Sequence, residues 1–452
     1  MKQRFYCNGS HVALRIGVIV SVCILFGVCG IWLAKHFPPD ASLEPSEEKT
    51  LLSVWYHKDD QVIFDAMIEG AKPLIDSGIQ INTRVFASEE ALAKEIDESG
   101  MPDLLLIQSR ERDRILDGRK LMMEGKIYPL DLFLTIEKSS GEFQSSDYFP
   151  GVMDVGVIES QQMLLPLTIH IPFVIGEKDS IEAYRKDPMD GNAVFRGRVG
   201  GPGALLENWL ISSGALWIDL ESGQPRIDEE KIEQAIRILR HVYENTQAFY
   251  QNYPNGQISF TEWQDAGMMV IDGSNAPSSI RYFESAYQEL GDGSKIDFES
   301  AVLSDSLLAE VDSVALVGAG TGHEKEAYLL GRALMDLPPE NWIAGKIDSP
   351  MMAITSVNRT NYLALLGYLE YADMSFYRWD QKTTFHRLPL SEESSEKLQQ
   401  FTRQIGRCYL PDSKLQDLLE EAFSGFVMGE TDDFSSCVDV LLNGLVRLYE
   451  GR

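Results

Sequence analysis

Basic side chains are scarce in this chain, which has 40 lysines and arginines against 69 aspartates and glutamates among 452 residues. The formal net charge is −29, and because residues 1–36 hold four basic residues and no acid, the remainder carries −33. Such a surface repels nucleic acid and anionic lipid, so we expect no nucleic-acid partner. A hydrophobic fraction of 44% excludes a disordered body.

Cysteine is also scarce, with five residues in all. Three of them, Cys7, Cys23 and Cys29, fall near the amino terminus, so only Cys408 and Cys437 lie in the body. The spacing of these two matches no zinc-binding pattern. A disulfide between them stays open if the body is exported, but two separate buried thiols are the expected arrangement.

Catalytic motifs are absent. The chain contains neither HExxH nor G-x-S-x-G, and its seven histidines are scattered without metal-ligand spacing. The stretch SVALVGAGTGH at 313–323 has the glycine spacing of a dinucleotide-binding turn, but His323 replaces its last small residue and no second strand ending in an acid follows. We therefore expect no enzyme, no metal and no cofactor, although paired carboxylates leave an exported glycoside hydrolase open.

Long hydrophobic runs are limited to one, Gly17–Ala34, which has 18 residues without a charge. As a helix it would be about 27 Å long, close to the thickness of a bilayer core. Lys2, Arg4 and Arg15 precede it, and basic residues favour the cytoplasmic side of a span. The sequence predicts a single-pass protein of the cell membrane whose carboxyl-terminal domain is extracellular.

The predicted order is a cytoplasmic tail at 1–16, a transmembrane anchor at 17–34 and a polar, proline-containing linker at 35–50. Two other processing routes stay open, a cleaved signal peptide and lipidation at a cysteine. Both have a poor site here, because Trp32-Leu33-Ala34-Lys35 is a weak cleavage sequence and valine precedes Cys29 where a small residue belongs. All three routes export the body.

The body begins with alternating strand and helix patterns. LLSVWY at 51–56, IQINTRVF at 79–86 and LLLI at 104–107 are typical of strands, and the segments between them have helical spacing. A β-α-β-α-β order indicates a parallel sheet covered by helices. Glycine-rich GRVGGPG at 197–203 precedes a predicted helix, 228–245 is a predicted amphipathic helix, and about 362–449 is expected to be mostly helical.

Several phrases resemble the bacterial extracellular solute-binding proteins of ABC importers, in the maltose-binding-like, carbohydrate-carrying class. The resemblance rests on LLSVWYHKDD at 51–60, GMPDL at 100–104, GKIYPLD at 125–131, LLPLTIHIPFVIGEKD at 164–179, FTEWQDAGMMVIDGSN at 260–275, GHEKEA at 322–327 and a closing helix in 426–450. Two phrases depart from the family's pattern: Glu177-Lys178-Asp179 replaces Asn-Lys-Asp, and Ser274-Asn275 replaces Pro-Trp. These departures concern sugar specificity rather than the fold.

The resemblance implies an α/β, two-lobed, periplasmic-binding-protein-like fold with three interlobe crossings, preceded by the transmembrane helix. The crossings would fall near 157–163, 309–314 and 346–351. Lobe 1 would then comprise 51–160 and 312–346, and lobe 2 would comprise 161–311 and 347–452. Such lobes close around a ligand by hinge motion.

Candidate ligand contacts follow predicted strands, because ligands of open α/β sheets bind beyond the carboxyl ends of the strands. The tryptophans Trp209, Trp217, Trp263 and Trp379 are further candidates, of which one or two are expected in the cleft. The predicted ligand-binding residues are Tyr56, His57, Asp59, Asp60, Gln108, Ser109, Arg110, His170, Gly273, Ser274 and Asn275.

The function expected from the resemblance is capture of a small polar solute, with a carbohydrate as the expected ligand, for an ABC importer. Its partners would be the sugar, the ABC permease subunits and the membrane. An alternative is a membrane-tethered sensor or scaffold with the same fold and no importer.

Overall fold

The computed structural model describes most of the chain after residue 49. The described residues are 50–108, 118–158, 160–195, 201–218, 225–253, 258–272, 276–291, 295–301, 307–339, 341, 355–371, 376–380 and 382–450. The predicted tail, anchor and linker lie outside these residues, apart from Thr50. Within the part of the chain that is described, no helix is long and apolar enough to cross a membrane.

Seventeen strands are described. They are β1 Thr50–His57, β2 Ile79–Phe86, β3 Leu104–Gln108, β4 Val157–Ile158, β5 Gln161–Gln162, β6 Leu165–His170, β7 Phe173–Glu177, β8 Asn192–Phe195, β9 Leu216–Ile218, β10 Pro225–Ile227, β11 Met268–Asp272, β12 Ile296–Ser300, β13 Leu307–Val317, β14 Thr355–Ser356, β15 Phe376–Arg378, β16 Thr384–His386 and β17 Ile405–Tyr409.

Fourteen α-helices are described, with short 3₁₀ turns between some of them. They are α1 Gln61–Ala71, α2 Glu89–Ser99, α3 Gly118–Met123, α4 Asp131–Ser140, α5 Lys178–Lys186, α6 Gly201–Ser212, α7 Glu229–Asn252, α8 Phe260–Asp265, α9 Ala276–Glu289, α10 Glu324–Met335, α11 Arg359–Tyr371, α12 Glu392–Arg403, α13 Ser413–Val427 and α14 Phe434–Glu450.

The larger sheet has seven strands in the order β14-β6-β13-β3-β1-β2, with β17 added beside β13. β1 pairs in parallel with both β2 and β3, as the alternating strand and helix patterns predict. β13 runs antiparallel to its neighbours β3 and β6. The sheet is therefore parallel among its first three strands, and β13, from much later in the sequence, runs antiparallel to β3 and β6.

A second sheet of four strands has the order β12-β7-β11-β8. The chain leaves the larger sheet between His170 and Phe173 and returns to it between Ser300 and Leu307. Because the strands on either side of each of these segments belong to different sheets, we expect the chain to cross between two lobes there. The lobe ranges inferred from the sequence remain predictions.

The larger sheet contains two strands, β13 and β17, that differ from the local sequence pattern. β13 begins at Leu307, several residues before the apolar run at 313–320. β17, Ile405–Tyr409, lies in the region predicted to be mostly helical, and it pairs in parallel with the first residues of β13. Its sequence IGRCY is too short to show a period, so pairing with a distant strand decided its conformation.

The buried apolar side chains form two clusters. One runs through the larger sheet and includes Trp263 and Trp379. The other lies among α6, α7, α13 and α14 and includes Trp209. These three candidate tryptophans are therefore core residues rather than an exposed stacking surface, and the side chain of Trp217 lies outside the described residues. Cys408 and Cys437 are both buried and unpaired, as expected.

Candidate functional site

One edge of the larger sheet collects polar side chains from four strands. β1, β3 and β6 all end at this edge, and β13 begins there because it runs antiparallel to β3 and β6. The register places Ser313 opposite Gln108 and Glu310 opposite His170. Residues predicted from three separate stretches of sequence therefore lie along one edge, where open α/β sheets bind ligands.

The turn after β1 carries the most accessible acid of this edge. A 3₁₀ turn at Lys58–Asp60 follows His57, and the Asp59 amide donates to His57 Nδ1 at 3.2 Å. This hydrogen bond fixes the imidazole and makes Nδ1 an acceptor. The Asp59 side chain is 70% exposed and can accept hydrogen bonds from ligand hydroxyls, whereas Asp60 is buried.

Tyr56 belongs to the core beneath this turn. Its side chain is fully buried, its ring centroid lies 5.6 Å from that of Phe64, and its hydroxyl donates to Asp65. Burial, together with the hydrogen bond to Asp65, raises the pKa of Tyr56 above its ordinary value. Stacking of this ring on a sugar would need an exposed face, which the described arrangement does not offer.

Gln108 is held by an acid that the sequence analysis did not select. Its Nε2 donates to Asp312 Oδ2 at 3.1 Å, and the neighbouring Ser313 hydroxyl contacts the Thr168 hydroxyl from β6. A signal was present, because Glu310 and Asp312 are the only acids in the apolar strand LLAEVDSVALV. Acids at alternate positions of a buried strand indicate that one face meets polar groups.

His170 ends β6 and is 4% exposed. Its partner in the strand register is Glu310, whose Oε1 accepts from Asn208 Nδ2 and from the Tyr409 hydroxyl, each at 3.0 Å. The strand end therefore joins a buried polar cluster rather than open solvent. A ligand would reach His170 only if that cluster is exposed in another conformation.

The remaining candidates, Ser109, Arg110, Gly273, Ser274 and Asn275, lie outside the described residues. Ser109 and Arg110 directly follow β3. The other three separate β11 from α9, which begins at Ala276. Their roles as ligand contacts remain predictions.

The described chain shares its fold with solved binding proteins. An ABC substrate-binding protein from Listeria monocytogenes in complex with cycloalternan matches with a TM-score of 0.55 and 11% identity, covering 88% of this chain and 99% of that one. The sugar-binding protein MalE from Xanthomonas citri matches with a TM-score of 0.58 and 12% identity, covering 89% of this chain and 100% of that one. The chain has the fold of the sugar-binding solute-binding proteins.

A third structure of this fold, the cyclic alpha-maltosyl-1,6-maltose binding protein from Arthrobacter globiformis, matches with a TM-score of 0.56 and 10% identity, covering 89% of this chain and 100% of that one. All three are described as binding proteins. No protein-family model matches the sequence, and no curated protein sequence matches it. The structural likeness shows the mixed α/β, two-lobed fold, and at 10–12% identity it shows the fold alone, so the ligand has to be inferred from the site.

In the glycine-rich turn at 318–322, backbone amides bind the carboxylate of Glu324 from the start of helix α10. The amides of Gly320 and Gly322 donate to Glu324 Oε1 at 2.9 and 3.3 Å. Hydrogen bonds from its own amide and from those of Gly322 and Gly320 hold the pKa of Glu324 below its ordinary value, against a smaller effect of burial. A nucleotide phosphate would have to displace this carboxylate, because the amides that could bind it already bind Glu324.

A metal site needs a particular arrangement of ligating side chains, which the described residues do not offer. Across the residues that the structure describes, no three histidines, cysteines, aspartates or glutamates are placed to hold a metal ion. The chemistry that the sheet edge offers is hydrogen bonding by carboxylate, amide and imidazole groups, which suits a polar ligand with hydroxyls.

Proposed function

We propose that this chain is a binding protein that captures a small polar solute, a carbohydrate, in a cleft between its two lobes for an ABC importer. The observation that carries the proposal is the likeness in fold to carbohydrate-binding proteins along 88–89% of this chain and 99–100% of theirs. Binding is the activity that those proteins' names describe.

The polar edge of the larger sheet supports a ligand with hydroxyl groups. Asp59 presents an exposed carboxylate, and the Gln108–Asp312 pair presents an amide beside a carboxylate. Such groups accept and donate hydrogen bonds in the fixed directions that sugar hydroxyls need. The opposite side of the cleft would come from the turn at 273–275 between β11 and α9.

The location of the protein follows from the apolar run at 17–34 and the basic residues before it. In our proposal this run anchors the chain in the cell membrane and the linker at 35–50 connects it to an extracellular body. The lobes would comprise 51–160 with 312–346, and 161–311 with 347–452. An anchored binding protein keeps the captured solute close to a permease.

A thermal-shift screen of the full chain in detergent tests the proposal against sugars, amino acids, peptides and polyamines. A true ligand at 100-fold over its Kd should stabilise the fold by about 2.7 kcal/mol. Stabilisation by a sugar, with the sugar recovered unchanged by mass spectrometry, supports binding without hydrolysis. Stabilisation only by compounds of another class would contradict the carbohydrate proposal.

The importer partnership needs its own test, because a tethered sensor or scaffold would give the same thermal shift. A permease encoded beside this protein should bind the ligand-loaded chain more tightly than the empty chain. Equal binding of the loaded and the empty chain to the permease would favour the sensor. The absence of a permease gene beside the gene of this protein would favour it as well.

A further inference from the structure

A cluster of buried polar side chains lies between the larger sheet and the helices that cover its β17 side. The sheet contributes Glu310 from β13 and Tyr409 from β17. The helices contribute Glu207 and Asn208 from α6, with Asp412 and Gln416 at the start of α13. Glu207 and Asn208 are each 1% exposed. The cluster adjoins the point where the chain returns to the larger sheet, since β13 begins at Leu307.

Hydrogen bonds from Asn208 connect the two sides of this cluster. Glu310 Oε1 accepts from Asn208 and from Tyr409, and Asn208 Nδ2 also lies 3.2 Å from the Tyr409 hydroxyl. The Asn208 Oδ1 atom is buried, and no described residue donates a hydrogen bond to it. Helix α6 is thus tied to the sheet by a polar junction that still offers one acceptor.

Glu207 occupies the helical side, and both of its donors among the described residues are neutral. Its Oε1 accepts from the Asp412 amide at 2.9 Å and its Oε2 from Gln416 Nε2 at 2.6 Å. Burial raises the pKa of Glu207 well above its ordinary value, and the nearby charges of Glu310 and Asp412 raise it further, although the two hydrogen bonds work against this.

The titratable and charged groups facing Glu207 come from three elements: Glu310 on β13, Tyr409 on β17 and Asp412 at the start of α13. His170 on β6 lies beyond them, opposite Glu310 in the register. None of these groups is a lysine or an arginine. A proton is therefore the simplest means of neutralising Glu207 in this cluster.

We propose that Glu207 is a proton-dependent latch that holds helix α6 against the start of helix α13, beside the polar junction with the larger sheet. The neutral carboxylic acid keeps the junction closed, and ionisation places a second negative charge beside Glu310 in a buried site. This inference goes beyond the proposed function because it needs no ligand. Its consequence is a junction that loosens as the pH rises, beside a passage between the two sheets.

The sign of the effect follows from proton linkage. Since the folded protein holds the proton more tightly than the unfolded chain, this contribution to stability is complete below the ordinary pKa of glutamate, 4.5. It is lost as the pH rises from there through the higher folded value. Within that window a single such group changes the folding equilibrium by a factor of about ten for each pH unit.

The test compares the full chain in detergent with Glu207→Gln and with the control Glu421→Gln, an exposed position on α13, the helix whose first turn bonds to Glu207. Melting is followed by tryptophan fluorescence from about pH 5 to about pH 9. The wild type and the control should lose stability as pH rises more steeply than Glu207→Gln. Parallel profiles for all three proteins would overturn the proposal.

Hydrogen exchange of the wild type alone gives a second readout that does not depend on a variant that folds. After correction for intrinsic exchange, peptides from α6 and α13 should lose protection at high pH at least tenfold more than peptides from α2. Uniform loss of protection, or no loss, would show that the junction does not respond to a proton. Neither measurement uses a sugar, so either result leaves the proposed function to its own test.

Discussion

Arg332 offers the sharpest test of how this fold is stabilised. The guanidinium is nearly buried on α10, where Nε donates to Glu137 Oε2 and Nη1 to the Tyr148 hydroxyl, both at 2.8 Å. Nη1 also lies 2.8 Å from Asp336 Oδ2. Burial alone would lower the pKa of Arg332, but Asp336, Tyr148 and Glu137 raise it overall, so the side chain stays charged. We predict that Arg332→Met strongly destabilises the protein.

The size of the loss in the free energy of unfolding depends on the carboxylates of Glu137 and Asp336, which lose their partner. Removing one partner of a buried ion pair costs about 3–5 kcal/mol, because the other charge stays buried without compensation. The Glu137 side chain is 12% exposed and that of Asp336 is 33% exposed, so water can partly solvate Asp336 after the substitution. The loss in the free energy of unfolding should therefore lie near the lower end, at about 3 kcal/mol.

Urea unfolding followed by tryptophan fluorescence measures this loss. The matched control is Arg237→Met on α7, where the Arg237–Glu233 pair has side chains 60% and 39% exposed. Exposed pairs of this kind contribute about 0.3–0.5 kcal/mol. Arg332→Lys should fall between the two, because lysine keeps the charge but loses the fork of donors. A cost for Arg332→Met within about 1 kcal/mol of the control would refute the reasoning.

Three further predictions concern the ligand, the thiols and the anchor. Asp59→Ala should raise the Kd for the ligand by about 3- to 20-fold with almost unchanged melting temperature; unchanged affinity in both this variant and Ser274→Trp would mean that the cleft lies elsewhere. Cys408, whose pKa burial raises to about 12, and Cys437 should resist alkylation until the protein unfolds, and a recovered disulfide-linked peptide would contradict this. Mass spectrometry of the membrane form should find the segment before Cys29 still attached, whereas a lipidated chain beginning at Cys29 would disprove the anchor.

Local pattern was sufficient for the first part of the body. Apolar alternation in 51–56 and 79–86, with helical spacing between them, predicted a parallel sheet, and β1 pairs in parallel with β2 and β3. Helical spacing between the second and third strands likewise predicted helix α2, at whose start Ser88 Oγ accepts from the Ala91 amide. Neighbouring residues create these signals, so they can be read without knowledge of distant parts of the chain.

Local sequence pattern predicted only part of the candidate site. The turn after β1 was selected because a strand ends there, and Asp59 is indeed exposed beside it. The same reasoning selected Tyr56, yet its ring packs into the core, because the side chains of a strand alternate between faces and the sequence does not say which face is covered. Trp209 and Trp263 lie on helices and Trp379 follows a short strand, and packing against distant elements buries all three.

The sequence by itself determined that the body is acidic, α/β and built from consecutive strand–helix units, because those properties are additive or local. Only the tertiary structure decided that Asp312 meets Gln108 from 204 residues away and that β17 is a strand. It also decided that Glu207, a single acid in an apolar helix, is buried within the same polar cluster as Glu310. Such contacts depend on which distant elements share a sheet edge, and that is set by packing of the whole chain rather than by any one segment.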